Sequence, residues 1–209
     1  MKKRILCFGD SNTWGYIPGT AERYSEDERW TGLLEDKLGA GYTIVEEGMT
    51  GRTTVFDTGF DDLLNGKKAL GYILKSQLPL SAAVVFLGTN DLCDHHMDRI
   101  ELGITEIVRL IKSANYIYRT KTPVFPDGAK ILLIAPLEYG KTAQLSEQIK
   151  AESALYGETY KRVAENMGVS FLNPSGIVEA SEIDGIHLTK EGHRKMAELI
   201  YKALMGMDL

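Results

Sequence analysis

The chain has 209 residues, enough for one α/β domain whose core needs no disulfide or metal staple. Hydrophobic residues make up 44% and charged residues 25%, which is globular composition and excludes a disordered or fibrous chain. The formal net charge of −5 argues against a nucleic-acid binder, which presents a basic face.

At the N-terminus, Lys2-Lys3-Arg4 precede an apolar stretch that stops at Gly9-Asp10. That is short of the roughly 7–15 apolar residues of a secretory leader. No run reaches the roughly 18 of a membrane span, so a cytoplasmic protein without a membrane partner is expected. Cys7 and Cys93 form no C-x-x-C pair, which removes the usual zinc and redox motifs. Apolar runs rich in branched residues predict buried parallel strands at 5–8, 43–45, 82–87 and 131–135, with a fifth at 169–172. Helical spacing recurs at Trp30, Leu33, Leu34 and Leu38, then at Ile104, Ile107, Val108 and Ile111. It returns over 147–167, with a break expected at Gly157, and at Met196, Leu199, Ile200 and Leu204. Segments 18–28 and 120–128 read as irregular loops. Strands alternating with helices imply a three-layer α/β/α fold around a five-stranded parallel sheet, as one domain over 1–209. Ligands of such sheets bind beyond the carboxyl ends of the strands.

Three of those ends carry polar blocks: Gly9-Asp10-Ser11-Asn12, Gly48-Met49-Thr50-Gly51 and Gly88-Thr89-Asn90-Asp91. A fourth, Asp184-Gly185-Ile186-His187, precedes the last helix. Acyl transfer needs a nucleophile, a base to take its proton, a carboxylate to fix the base, and donors for the developing oxyanion. Ser11, His187 and Asp184 can supply the first three. The Ser11 and Gly51 backbone N–H groups and the Asn90 amide can supply the donors. Each block alone also reads as a capped turn, and Asp184–His187 alone as a surface pair. Their joint appearance at successive element ends favours the catalytic reading. A second candidate is a flavodoxin-like binding module without catalysis, which would not need Asp184 and His187. No G-x-G-x-x-G or P-loop supports a nucleotide. Asp91, Asp94, His95 and Asp98 would share one face of a helix and could ligate a metal, but acids at a helix start are the more common reason for such a pattern.

The four blocks resemble those of the SGNH (GDSL-type) hydrolase superfamily. The stretches 7–15, 29–32 and 46–54 are most similar to the bacterial arylesterase and acyltransferase group. The resemblance implies Ser11, Asp184 and His187 as catalytic residues, and Ser11, Gly51 and Asn90 as the oxyanion hole. Gly48 competes with Gly51 for the glycine position, and the flanking Arg52-Thr53-Thr54 favours Gly51. Substrate contacts are expected from Asp10, Asn12, Trp14 and Ile186, with Trp30 and Tyr139 as further candidates for an acyl or aryl pocket. The superfamily often places an apolar residue after the serine, where this chain has Asn12, which is expected to alter the pocket wall. The implied activity is hydrolysis of short acyl or aryl esters with no metal and no cofactor. Acyl transfer to alcohols, carbohydrate deacetylation and a homo-oligomer are further implications of the likeness.

Overall fold

A computed structural model describes residues 2–59, 62–207 and 209. Its strands are β1 (Lys3–Gly9), β2 (Tyr42–Gly48), β3 (Ala82–Phe86), β4 (Ile131–Ile134) and β5 (Ser170–Leu172). They form one parallel sheet in the order β2-β1-β3-β4-β5. The five expected strands are therefore present. β1 and β2 extend beyond their apolar runs because main-chain pairing continues through Lys3, Arg4, Glu46 and Glu47.

The helices are α1 (Ser11–Trp14), α2 (Trp30–Leu38), α3 (Gly66–Ser76), α4 (Met97–Ile117), α5 (Glu147–Ser153), α6 (Tyr156–Met167) and α7 (Lys190–Met205). Strand side chains alternate between the two faces of the sheet. Leu6, Phe8, Ala83, Val85 and Leu133 join Leu70 and Leu74 of α3, Ile104 and Ile107 of α4, and Tyr156 and Tyr160 of α6 in one core. Ile5, Cys7, Ala82, Val84, Phe86 and Leu132 join Trp30 and Leu34 of α2 and Met196, Ile200 and Leu204 of α7 in the other. These are the two helical layers of the expected α/β/α sandwich. The helix expected over 147–167 is broken before Gly157, at 154–155. Gly157 lies inside α6, where a Cβ would come within 2.5 Å of Asn173 Nδ2, so its smallness serves packing rather than a break.

The strand register sets up the site. Gly9 pairs with Gly48 on one side and Phe86 on the other, and Phe86 pairs with Ile134. The loops after β1, β2 and β3 therefore leave the sheet flush with one another. The order of strands reverses direction between β1 and β3, the position where open α/β sheets form their binding crevice. Among the described residues, no helix is long and apolar enough to cross a membrane.

Candidate active site

Asp10 follows β1 in extended conformation and caps α1, its Oδ1 accepting from Asn12 N at 3.0 Å. Capping side chains of this kind satisfy an N–H that the helix itself leaves free. Burial pushes the Asp10 carboxyl up, against the opposing pull of that N–H. Ser11 begins α1 and is 4% exposed. Its Oγ lies 3.0 Å from His187 Nε2.

On the far side of the imidazole, His187 Nδ1 lies 2.8 Å from Asp184 Oδ2. Asp184 Oδ1 accepts from Ile186 N at 3.0 Å and His187 N at 3.1 Å, which closes the turn that carries both residues. Burial raises the Asp184 carboxyl, but the bonds from the His187 ring, His187 N and Ile186 N outweigh it and leave it below its usual value. A carboxylate held ionised can only accept. The imidazole proton therefore sits on Nδ1, and the Nε2 lone pair faces Ser11 Oγ. Tyr16 stacks on the His187 ring with centroids 4.3 Å apart.

The second and third strand ends are tied to the first by buried groups. The Arg52 guanidinium lies over the Phe8 ring at 4.4 Å. Its Nη1 donates to Gly9 O at 2.9 Å and also to Glu47 O. Burial lowers the Arg52 pKa to about 10, so it remains a cation at neutral pH. Asn90 Nδ2 donates to Arg52 O at 2.9 Å, which sets the Asn90 amide beside the Gly51–Arg52 turn. Next to it, the buried Asp91 carboxylate accepts from Thr54 N at 2.9 Å and from Thr54 Oγ1 at 2.5 Å. Burial pushes Asp91 up to about 7 despite these bonds.

Three tyrosines hold the turn after β3. Tyr160 donates to Leu87 O at 2.7 Å, Tyr156 to Gly88 O at 3.1 Å, and Tyr139 to Thr89 O. Burial pushes all three phenols up, so each keeps the proton it donates. Of the two glycines in the second block, Gly48 is paired in the sheet, and a Cβ there would meet Trp14 N at 2.2 Å. Gly51 sits in the following turn at φ +74°, a conformation that favours glycine. Among the described residues, neither Gly51 N nor Ser11 N has an acceptor.

This layout of serine, histidine, carboxylate and strand-end turns can be compared with known proteins. The sequence profile of the GDSL-like Lipase/Acylhydrolase family matches residues 7–195. The chain belongs to this family. Among solved structures, the M. smegmatis aryl esterase superposes with a TM-score of 0.90 at 30% identity, covering 98% of this chain and 99% of that one. A carbohydrate acetylesterase from Sinorhizobium meliloti superposes with a TM-score of 0.90 at 32% identity and the same coverage. An acetylxylan esterase from Xylanibacter ruminicola is 23% identical over 217 residues, 96% of this chain. The chain spans only 43% of the length of that relative.

Within this GDSL-family frame, Ser11, His187 and Asp184 meet through their side chains, and Asn90 joins the Gly51 turn. Two of the four expected substrate contacts lie buried in the structure. Asp10 and Asn12 are each 1% exposed and already bonded within the chain, because one caps α1 and the other faces the His187 loop. Trp14 and Ile186 remain partly exposed. Trp30 is fully buried and donates through Nε1 to Asn12 O at 3.0 Å, and Tyr139 is committed to Thr89. Trp30 therefore belongs to the framework, and Tyr139, whose hydroxyl holds the turn after β3, borders the cavity between the 138–142 and 175–182 loops.

The four residues weighed as a metal face do not share one helix. Asp91 lies in a 3-10 turn over Thr89–Cys93 and turns inward to Thr54, while Asp98 lies in α4. His95 packs against Phe56, with ring centroids 3.8 Å apart. A cavity of about 730 Å³ between the 138–142 and 175–182 loops is lined by Glu138, Lys141, Glu179 and Glu182, and by none of the Ser11–His187–Asp184 set. Sequence reasoning missed the roles of Arg52, Tyr16, Tyr156 and Tyr160, and read Tyr139 as a pocket candidate rather than as a support for the turn after β3. The one available signal was Arg52 itself, a charged residue beside the glycine block.

Proposed function

We propose that this chain is a serine esterase that cleaves small carboxylic esters through an acyl-enzyme. The observation that carries the reading is the continuous relay from Ser11 Oγ through His187 to Asp184, with contacts of 3.0 and 2.8 Å. In the first half-reaction, His187 Nε2 takes the Ser11 proton as Oγ bonds to the ester carbonyl carbon. The carbonyl oxygen becomes an oxyanion held by Ser11 N–H, Gly51 N–H and Asn90 Nδ2–H. When the intermediate collapses, the carbon–alkoxy bond breaks and His187 returns the proton to the leaving alcohol. Water then attacks the acyl-enzyme by the same steps in reverse. Asp184 holds the imidazole tautomer and offsets its positive charge. No step calls for a metal or cofactor. Trp14 and Ile186 supply apolar surface for the acyl or aryl group.

Carbohydrate deacetylation is the second reading, favoured by the likeness to the S. meliloti carbohydrate acetylesterase. It uses the same steps with a sugar hydroxyl as leaving group. Another alcohol replacing water would give acyl transfer. A non-catalytic binding module would have no use for the relay. We also expect a cytoplasmic homo-oligomer, to be checked by cell fractionation and light scattering.

The deciding experiment pairs a fluorophosphonate probe with p-nitrophenyl esters from acetyl to decanoyl and with acetylated xylan. Covalent labelling at Ser11 is expected, and Ser11→Ala should lose roughly 10⁴–10⁶-fold in turnover. Full activity in Ser11→Ala, or labelling elsewhere, overturns the reading. The ester series separates the aryl and carbohydrate alternatives.

A further inference from the structure

Asn12 follows the serine in sequence, and both ends of its carboxamide are used on the loop that carries His187. Its Oδ1 accepts from Leu188 N at 2.9 Å. Its Nδ2 donates to Ile186 O at 3.3 Å. These two bonds bracket His187 on either side, across 176 and 174 residues of sequence. The pattern fixes the amide's orientation, because a carbonyl oxygen must face the N–H and an amine the C=O. The backbone of Asn12 is held on two sides, and one of its partners is anchored in turn. Its N–H donates to Asp10 Oδ1, its carbonyl accepts from Trp30 Nε1 at 3.0 Å, and Trp30 N donates to Nδ1 of the buried His193 at 3.2 Å. Burial lowers the His193 pKa to about 3, so this ring stays neutral and can accept.

We propose that Asn12 is the positioning residue for His187, setting the Ser11–His187 separation from the position next to the serine. This rests on the esterase reading given above. Helix α1 carries both Ser11 and the clamp. A displacement of α1 therefore moves the serine and the histidine loop together, and the 3.0 Å contact between them is preserved. Asn12 touches no reacting atom. Its effect passes through the backbone at Ile186 and Leu188. Leu at this position removes both bonds and leaves Leu188 N and Ile186 O without their partner. Asp keeps the acceptor for Leu188 N, loses the donor to Ile186 O, and preserves the side-chain shape.

The test compares wild type, Asn12→Leu and Asn12→Asp on a short p-nitrophenyl ester, with the proton spectrum of the His187 Nδ1–H followed alongside. For Asn12→Leu, kcat should fall roughly 10–100-fold with KM within about twofold, since small misplacement of a catalytic group costs rates of this order. Its downfield Nδ1–H signal should broaden or shift. Asn12→Asp, with its fold checked by circular dichroism, should show a smaller loss of kcat, again with KM retained. Should Asn12→Leu fail to fold, Asn12→Asp decides alone. Wild-type kcat and an unshifted Nδ1–H signal in folded Asn12→Asp or Asn12→Leu overturn the proposal while leaving the esterase reading intact. Activity that survives Ser11→Ala overturns the esterase reading instead.

Discussion

The two sides of the candidate site are held by different means. The Ser11, Gly51 and Asn90 side grows from three adjacent strand ends and is stitched by a buried guanidinium, a buried carboxylate and three phenols. The Asp184–His187 side is a loop that follows no strand directly. It hangs on the Asn12 carboxamide and on main-chain bonds such as Gly140 N to Gly185 O at 2.8 Å and Ser181 N to His187 O at 2.8 Å. Damage to the strand-end side should therefore reach folding as well as chemistry. Damage to the loop side should fall on turnover, with the core intact.

Four perturbations would break or sharpen that contrast. Asn90→Ala has the largest expected effect. Loss of this proposed oxyanion donor should lower kcat roughly 10²–10³-fold with little change in KM, checked by steady-state kinetics. A reduced effect would remove Asn90 from the oxyanion role and leave it as a strut on Arg52 O. Next is Arg52→Met, which removes the guanidinium bond to Glu47 O and leaves Gly9 O only its bond from Met49 N at 3.2 Å. It should cost about 1–3 kcal/mol in a denaturant titration, since a buried carbonyl that loses its donor carries a desolvation penalty.

Asp91 comes third and acts through pH. Its carboxyl is raised from 3.8 to about 7, so the folded state binds a proton that the unfolded state has released over that window. Stability from this group is full below about pH 4 and is lost as pH rises through 7. Melting curves should show that decline in wild type, and a flatter profile in Asp91→Asn. The smallest effect is Tyr160→Phe. Removing the bond to Leu87 O should cost about 1 kcal/mol, and more if the carbonyl stays dry. Equal loss of kcat without loss of stability would show that the phenol acts on the Asn90 turn rather than on the fold.

Much of this was legible in the sequence. The strands announced themselves as apolar runs because they are buried on both faces. The serine, histidine and carboxylate were found because each lies in a short local pattern at an element end. The residues that hold them in place were harder to see. Arg52 reads only as a flank of the glycine block until the fold places it over Phe8, and Tyr139 (a pocket candidate), Tyr156 and Tyr160 give no sign of the turn they hold. Their partners lie 50, 68 and 73 residues away, beyond any local periodicity. Asn12 was visible as a departure from the usual apolar residue, but its purpose depends on a loop that arrives 174 residues later. Helix α3 escaped notice because it buries only a narrow face, through Gly66, Leu70 and Leu74.

The register of the sheet has a consequence for what can vary. Gly9 faces Gly48 and Phe86 across adjacent strands, so the chain segments bearing the serine, the glycine turn and the asparagine start about 4.8 Å apart, one strand spacing each. In the proposed reaction, a carbonyl is measured against that interval by groups that these three segments carry. Replacing side chains around the rim can change which alcohol or acyl tail is accepted. It cannot change the gauge against which the ester bond itself is held, because that gauge is the hydrogen-bonded width of a β-sheet.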